Sequence, residues 1–293
     1  MKIDAVIATY NREDCIISAI ESLLKNRNDL GKIFVVVNGS EDNSLNLLSR
    51  YSDYEQVVVI KLENNLGAPE GKNVGMLKSD AEVIVIIDDD AEFFSHNPIA
   101  EVRSIFDKEP NLGIAQFKIV NYELETIMKN EFPGRSIDKQ CDQDFFIGSF
   151  TGAGHAIRRS LLEQVGYYPE DFFYGHEELD LSFRAVQGGW SIGYRPSIGI
   201  YHKKSPRGRM PEKDMMVKML LNRMIISWRY LPFRYRAVSN VLWCCKIMLW
   251  GKDLSVVLEA LRQYSHVKPT ISKIPLSREA LQYFKMNYGR LWY

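Results

Sequence analysis

Four apolar runs, each separated from the next by a stretch of helical spacing, restrict this chain more than any other feature. They are "KIDAVIA", "KIFVVV", "EQVVVIKL" and "AEVIVII". Between them, "REDCIISAIESLLKN" sets Ile16, Ile20, Leu23 and Leu24 at helical intervals, and "EDNSLNLLSRY" and "GKNVGMLKSD" read as the next two helices. Strands covered on both faces read as continuous apolar runs, and strands that alternate with helices pair in parallel through right-handed crossovers. The expectation is an α/β protein with a mainly parallel, Rossmann-like sheet.

Ligands of such sheets bind beyond the carboxyl ends of the strands. The segments there are "TYNR" (9–12), "NGSED" (38–42), "ENNLGAPEGKN" (63–73) and "DDDAE" (88–92), all polar. Four polar strand ends on one edge define a candidate site. Asp88, Asp89 and Asp90 follow directly on the apolar run 83–87. One carboxylate suffices to cap a helix, so three point instead to a hard divalent cation, Mn2+ or Mg2+, with a diphosphate to complete its shell.

Further along, "HEELDLSFRAVQGG" reads as a helix that opens with Glu177 and Glu178 and carries Asp180 and Arg184 one turn apart. Acidic residues at a helix start and an i,i+4 pair are ordinary, and a carboxylate facing a cleft is equally a candidate general base. "SIGYRPSIGIYH" reads as a strand pair ending in His202. The basic loop that follows holds Lys203, Lys204, Arg207 and Arg209 around Pro206 and Gly208. That composition suits a flexible flap over phosphates, and without interleaved aromatics it argues against nucleic acid. Neither "GAPEGKN" nor "TGAG" (151–154) matches a phosphate-loop or dinucleotide fingerprint.

The net charge of zero hides a division. Residues 1–207 carry 22 Lys and Arg against 32 Asp and Glu, and residues 208–293 carry 15 against 5 together with four of the five tryptophans. A basic, Trp-rich tail fits an anionic membrane surface; a helical cap or homodimer interface is the alternative use of its aromatics. Its longest apolar stretch, "AVSNVLWCCKIMLW", is short, contains Lys246 and cannot span a bilayer. Cys15, Cys141, Cys244 and Cys245 match no metal spacing. With no signal-peptide pattern at the start, the expected location is the reducing cytoplasm, peripheral at the inner face of the membrane.

In order, these segments resemble the inverting glycosyltransferases of family 2, which have the GT-A fold, in their rhamnosyltransferase-like, polysaccharide-building branch. The resemblance runs over about residues 3 to 209. "VIATYNR" is similar to the opening strand and nucleotide turn, which implies Thr9, Asn11 and Arg12 near base and ribose. "ENNLGAPEGKNVG" is similar to the family's Asn/Gly/Arg stretch, with Asn65, Gly67 and Lys72 at the donor and Lys72 in the usual Arg place. "DDD" resembles the D-x-D element, with Asp88 and Asp89 toward the nucleotide and Asp90 on the metal.

The block from "GAGHAIRR" to "SIGIYH" is similar to the acceptor side. It implies Glu178, beside Glu177, as catalytic base where the family commonly has Asp. It also implies His202 on the metal, Gly152, Gly154 and Asp180 toward the acceptor, and 203–209 as the flap. The chain departs from the family at "VVNGSED": Val37 stands where an Asp usually recognises the nucleobase, so Asn38 or Asp42 is the expected replacement.

The resemblance implies residues 1–110 as the nucleotide-sugar half of a GT-A domain, 111–209 as the acceptor half and 210–293 as a helical extension. It implies transfer of a sugar from a UDP or dTDP donor to a hydroxyl of a glycan or lipid-linked acceptor in bacterial surface-polysaccharide synthesis. A scaffold with a decayed site, and a nucleotidyltransferase releasing pyrophosphate, are the competing readings.

Overall fold

The computed structural model describes residues 1–292. Its strands are β1 (Ile3–Thr9), β2 (Ile33–Asn38), β3 (Val57–Leu62), β4 (Val83–Ile87), β5 (Ala91–Phe93), β6 (Leu112–Asn121), β7 (Phe145–Phe146), β8 (Gly154–Arg158) and β9 (Ser191–His202). Helices α1 (Ile16–Leu24), α2 (Ser44–Leu48), α3 (Ala68–Lys78) and α4 (Pro98–Lys108) join the early strands. Then come α5 (Ile137–Gln140), α6 (Arg159–Val165) and α7 (Glu177–Gln187), and after β9 α8 (Glu212–Tyr230), α9 (Phe233–Gly251), α10 (Leu254–Val267) and α11 (Arg278–Met286).

One sheet has the order β3-β2-β1-β4-β8-β6-β9-β5, with β7 also on β9. The four strands seen as apolar runs pair in parallel, β3 with β2, β2 with β1 and β1 with β4. Beyond β4 the direction reverses, since β8 is antiparallel to both β4 and β6, while β6 and β9 are parallel. The expected strand pair at 191–202 is instead one strand. Its register against β6 jumps from Arg195 to Gly199, so residues 196–198 bulge out. Pro196 has no N–H for a ladder, which accounts for the break without ending the strand.

Local signals set the element ends. Gly67, at φ 91°, leads into α3 with Pro69 in the first turn. Asp253 and Ser277 cap α10 and α11 by accepting from Ser255 N and Ala280 N. Pro232 separates α8 from α9.

Two apolar cores flank the sheet. One holds Ile3, Ile7, Ile20, Val35, Val85 and Phe117. The other holds Ile84, Ile157, Phe183 and Tyr194, and the tail contributes Ile225, Tyr230 and Phe284 to it. A third, smaller core lies among Met216, Leu220, Trp243, Ile247, Val256 and Ala260 of α8, α9 and α10. Thus α8 and α11 bury their inner faces against the α/β body, and α9 and α10 pack on α8. No helix among the described residues is long and apolar enough to cross a membrane.

Candidate active site

The carboxyl end of β4 delivers the three aspartates, and the end of β9 brings His202 beside them through the β5–β9 pairing of Ala91 with His202. Ligand atoms of Asp88, Asp90 and His202 lie within 4.8 Å of one another. His202 Nε2 is 3.3 Å from Asp90 Oδ1, and Nδ1 is 2.6 Å from Glu131 Oε1. Two carboxylates and an imidazole whose second nitrogen is held by a further carboxylate suit a hard divalent cation such as Mn2+ or Mg2+. The residues fit the group.

The electrostatics follow from partners. Burial opposes ionisation of Asp90, but His202 and Arg12, whose Nη1 is 2.8 Å away, hold its carboxyl down at about 2. Burial likewise opposes charge on His202, yet the hydrogen bonds to Asp90 and Glu131 push it up to about 10. Asp89 is the exception. Burial, with Asp90 and Asp88 alongside, raises it to about 7 against the pull of Arg12.

On the other side of Lys72, Glu177 and Glu178 open α7, the first buried and the second half-buried. Burial raises both carboxyls, Glu177 adds to the rise at Glu178, and Lys72 is the cation that opposes it. Lys72 is itself buried, yet Asp88, Glu178 and Glu177 keep it charged. Its Nζ lies 2.8 Å from Asp88 Oδ1 and 3.4 Å from Gly152 O. A Cβ on Gly152 would collide with Glu178 Oε1, so this glycine is what leaves room for the carboxylate. Lys72 therefore links the aspartate end of the cleft to the glutamate end.

The basic loop folds over the aspartates. Ser205 N donates to Asp90 Oδ2 at 2.9 Å, and Ser205 Oγ to Asp14 at 3.0 Å. Lys203 pairs with Glu92, Lys204 with Glu131 and Arg207 with Glu13, while Arg209 donates to the carbonyls of Ser205 and Lys204. Gly208, at φ 62°, lets the chain press on the carbonyl of Tyr10. Asn11 has φ 51° and its Oδ1 accepts from Glu41 N, tying the β1 turn to the β2 turn; Thr9 is buried at the end of β1.

Several residues expected at a ligand are occupied by the fold. Asn38 donates to Asn65 Oδ1 and Gly67 O and accepts from Leu66 N. Asn65 Oδ1 also accepts from Gly67 N, so the pair shapes the loop before α3. Asp42 accepts from Glu13 N and Ser44 N. Asn38 and Asp42 thus already serve the loops, although each Asp42 oxygen carries one of these bonds and can accept another. Val37 itself faces the core.

Asp180 is fully buried and bound by Arg184, Arg229 and Tyr230, all at 2.8–2.9 Å. It holds α7 to α8 rather than facing an acceptor. The absent side chain of Gly154 leaves room for Ile200 inside the sheet.

Glu131 carried no motif, whereas Ser205 and Asn73 lay inside matched segments without being singled out. The last donates to Tyr168 O and accepts from Tyr168 N, clamping α3 and thereby Lys72 against the segment before α7. A carboxylate-rich cleft with a basic lid had been the only available hint.

The sequence profile described as "Glycosyl transferase family 2" matches residues 4–166, more than half of the chain. The chain belongs to glycosyltransferase family 2. It is 21% identical over 198 residues to the poly-beta-1,6-N-acetyl-D-glucosamine synthase of Staphylococcus aureus, covering 65% of this chain and 47% of that protein. The chain spans about half the length of the first curated relatives it matches.

Among solved structures, a mannosyltransferase from Pyrobaculum calidifontis in complex with GDP-Man and Mn2+ superposes with a TM-score of 0.60 at 14% identity, over 98% of this chain and 79% of that one. The TarS 1–349 structure from S. aureus in complex with UDP-GlcNAc gives a TM-score of 0.55 at 17% identity, over 78% and 66%. The architecture is that of the GT-A glycosyltransferases.

Proposed function

We propose that the protein is an inverting glycosyltransferase that depends on a divalent cation. It moves a sugar from a nucleoside-diphosphate donor, UDP or dTDP, to a hydroxyl of a glycan or lipid-linked acceptor in surface-polysaccharide synthesis. The observation that carries the reading is the link through Lys72. A cation-type cluster and a half-buried carboxylate whose proton affinity is raised share the same lysine.

Asp88, Asp90 and His202 would hold Mn2+ or Mg2+, which when bound supplies positive charge to a diphosphate. Arg12 and the flap residues Lys203, Lys204 and Arg207 exchange their carboxylate partners for phosphate oxygens. Glu178, kept ready to accept a proton near neutral pH by burial beside Glu177, takes it from the acceptor hydroxyl. The acceptor oxygen forms its bond to the anomeric carbon as the bond from that carbon to the diphosphate oxygen breaks. The bonding pair leaves with the nucleoside diphosphate, and the configuration inverts. Charge on the sugar in that transition state resembles the glycosidase case.

The test is thermal stabilisation by UDP, dTDP, GDP and CDP, each with Mn2+ and then with EDTA. A metal-dependent rise in Tm for UDP or dTDP supports the reading. A rise with GDP or CDP alone overturns the donor, and no rise with any of them overturns the site.

A further inference from the structure

The tail carries a surface that the transfer chemistry does not use. Trp228, near the end of α8, is approached by three cations: Lys273 Nζ at 4.1 Å, Lys268 Nζ at 4.4 Å and Arg236 Cζ at 4.5 Å from the ring centroid. Groups this near to one point are within about 9 Å of each other, twice the largest of those distances. Among the described residues none of the three has a carboxylate in ion-pair range, whereas the neighbouring Arg229 has Asp171 and Asp180. The indole attracts each cation, but the cations repel one another. Such a cluster is complete only with an anion between its members.

An apolar stripe runs up to this cluster. On α10, Val256, Val257 and Ala260 face α8. Leu254 and Leu258, each 57% exposed, and Leu261, 42% exposed, lie on the other side at i, i+4 and i+7. Helical spacing continues this side through Ser265 to Lys268, whose backbone is still helical at φ −51°. Leu249, 79% exposed, and Trp250 stand at the end of α9, just before the turn into the stripe. Three aliphatic side chains ending at three cations without an ion-pair partner among the described residues, and an indole, match the cross-section of a bilayer surface, with acyl chains below and phosphates above.

We infer that α10 docks the protein on an anionic phospholipid surface. Leu254, Leu258 and Leu261 enter the acyl boundary, and Arg236, Lys268 and Lys273 take lipid phosphates around Trp228. Nucleic acid would use the cations and leave the leucines in water. A second copy of this face would offer the cations little to pair with, since the α10 carboxylates Asp253 and Glu259 are already held by Lys213 and Arg262. The surface serves the reading above by bringing a lipid-linked acceptor to the cleft, and it rests on that reading only for its purpose.

The experiment is co-flotation of the full chain with phosphatidylcholine vesicles, with and without phosphatidylglycerol, at low and high salt. Binding to the anionic vesicles that weakens with salt is expected. Lys268→Gln with Lys273→Gln should weaken it by about fivefold per charge removed. Leu258→Ser with Leu261→Ser should weaken it at every salt concentration. All variants should keep the Tm shift with nucleoside diphosphate, which shows that they are folded. No flotation at low salt overturns the inference. So does flotation indifferent to both double variants, binding to duplex DNA that outcompetes the vesicles, or a dimer that the leucine variants dissociate. Loss of the nucleotide shift in the parent protein would strike the transferase reading and leave the flotation result standing.

Discussion

The cleft contains two acidic clusters that behave in opposite ways. At the ends of β4 and β9, Asp90 is buried yet held at about 2, because Arg12 and His202 both reach it. At the start of α7, Glu177 is buried and Glu178 half-buried, Lys72 is the main cation opposing them, and both are raised. Burial penalises the charge in each place, so the number of cations within reach decides the direction. One cluster is organised to stay charged, as a ligand for a cation and its phosphates must. The other favours the protonated carboxyl.

The largest expected effect breaks the proton-accepting end alone. Glu178→Gln should lower kcat by about 10²–10⁴-fold, the usual range for a general base, while leaving the nucleotide-induced Tm shift in place. Turnover near the parent level would remove Glu178 from the role.

The next probe addresses the cation end without touching a ligand. Glu131→Gln weakens the hold on His202 Nδ1 and should reduce apparent Mn2+ affinity by about 10–100-fold, read from activity and from Tm against metal concentration. An unchanged metal dependence would separate His202 from the cation.

Lys72→Gln sharpens the comparison through pH. Glu178 must be ionised to act, so kcat/KM rises with pH through its raised pKa. Removing Lys72, which lowers that pKa, should move the acidic limb to higher pH. A limb that stays put would show that Lys72 does not govern the base.

The smallest effect concerns Asp89. Its folded pKa of about 7 lies above the usual 3.8, so its favourable contribution to stability is present below 3.8 and is lost as pH rises through 7. Asp89→Asn should therefore raise Tm by clearly more at about pH 8 than at about pH 5. An equal change at both values would contradict the shift.

The aspartates of β4, the glutamates of α7 and His202 at the end of β9 could be read from the sequence because each sits at the edge of a regular element. Apolar runs show where a strand stops, and the polar residues that follow are delivered to one rim of the sheet. The nucleobase side was legible only in part. Asn38, Asn65 and Asp42 occupy such edges too, and only their hydrogen bonds show that they also shape the loops. Asp180 was visible as a helix pair with Arg184, but its additional partners Arg229 and Tyr230 lie 49 and 50 residues away in the chain.

What the sequence alone determined is the parallel α/β half, the carboxylate edge and the basic tail, since each is written in local periodicity and composition. The tertiary structure decided which charges meet. Glu131 reaches His202 from 71 residues away, and Lys72 reaches Gly152 from 80. Proton affinity depends on such neighbours and on exclusion of water, and a linear pattern carries neither.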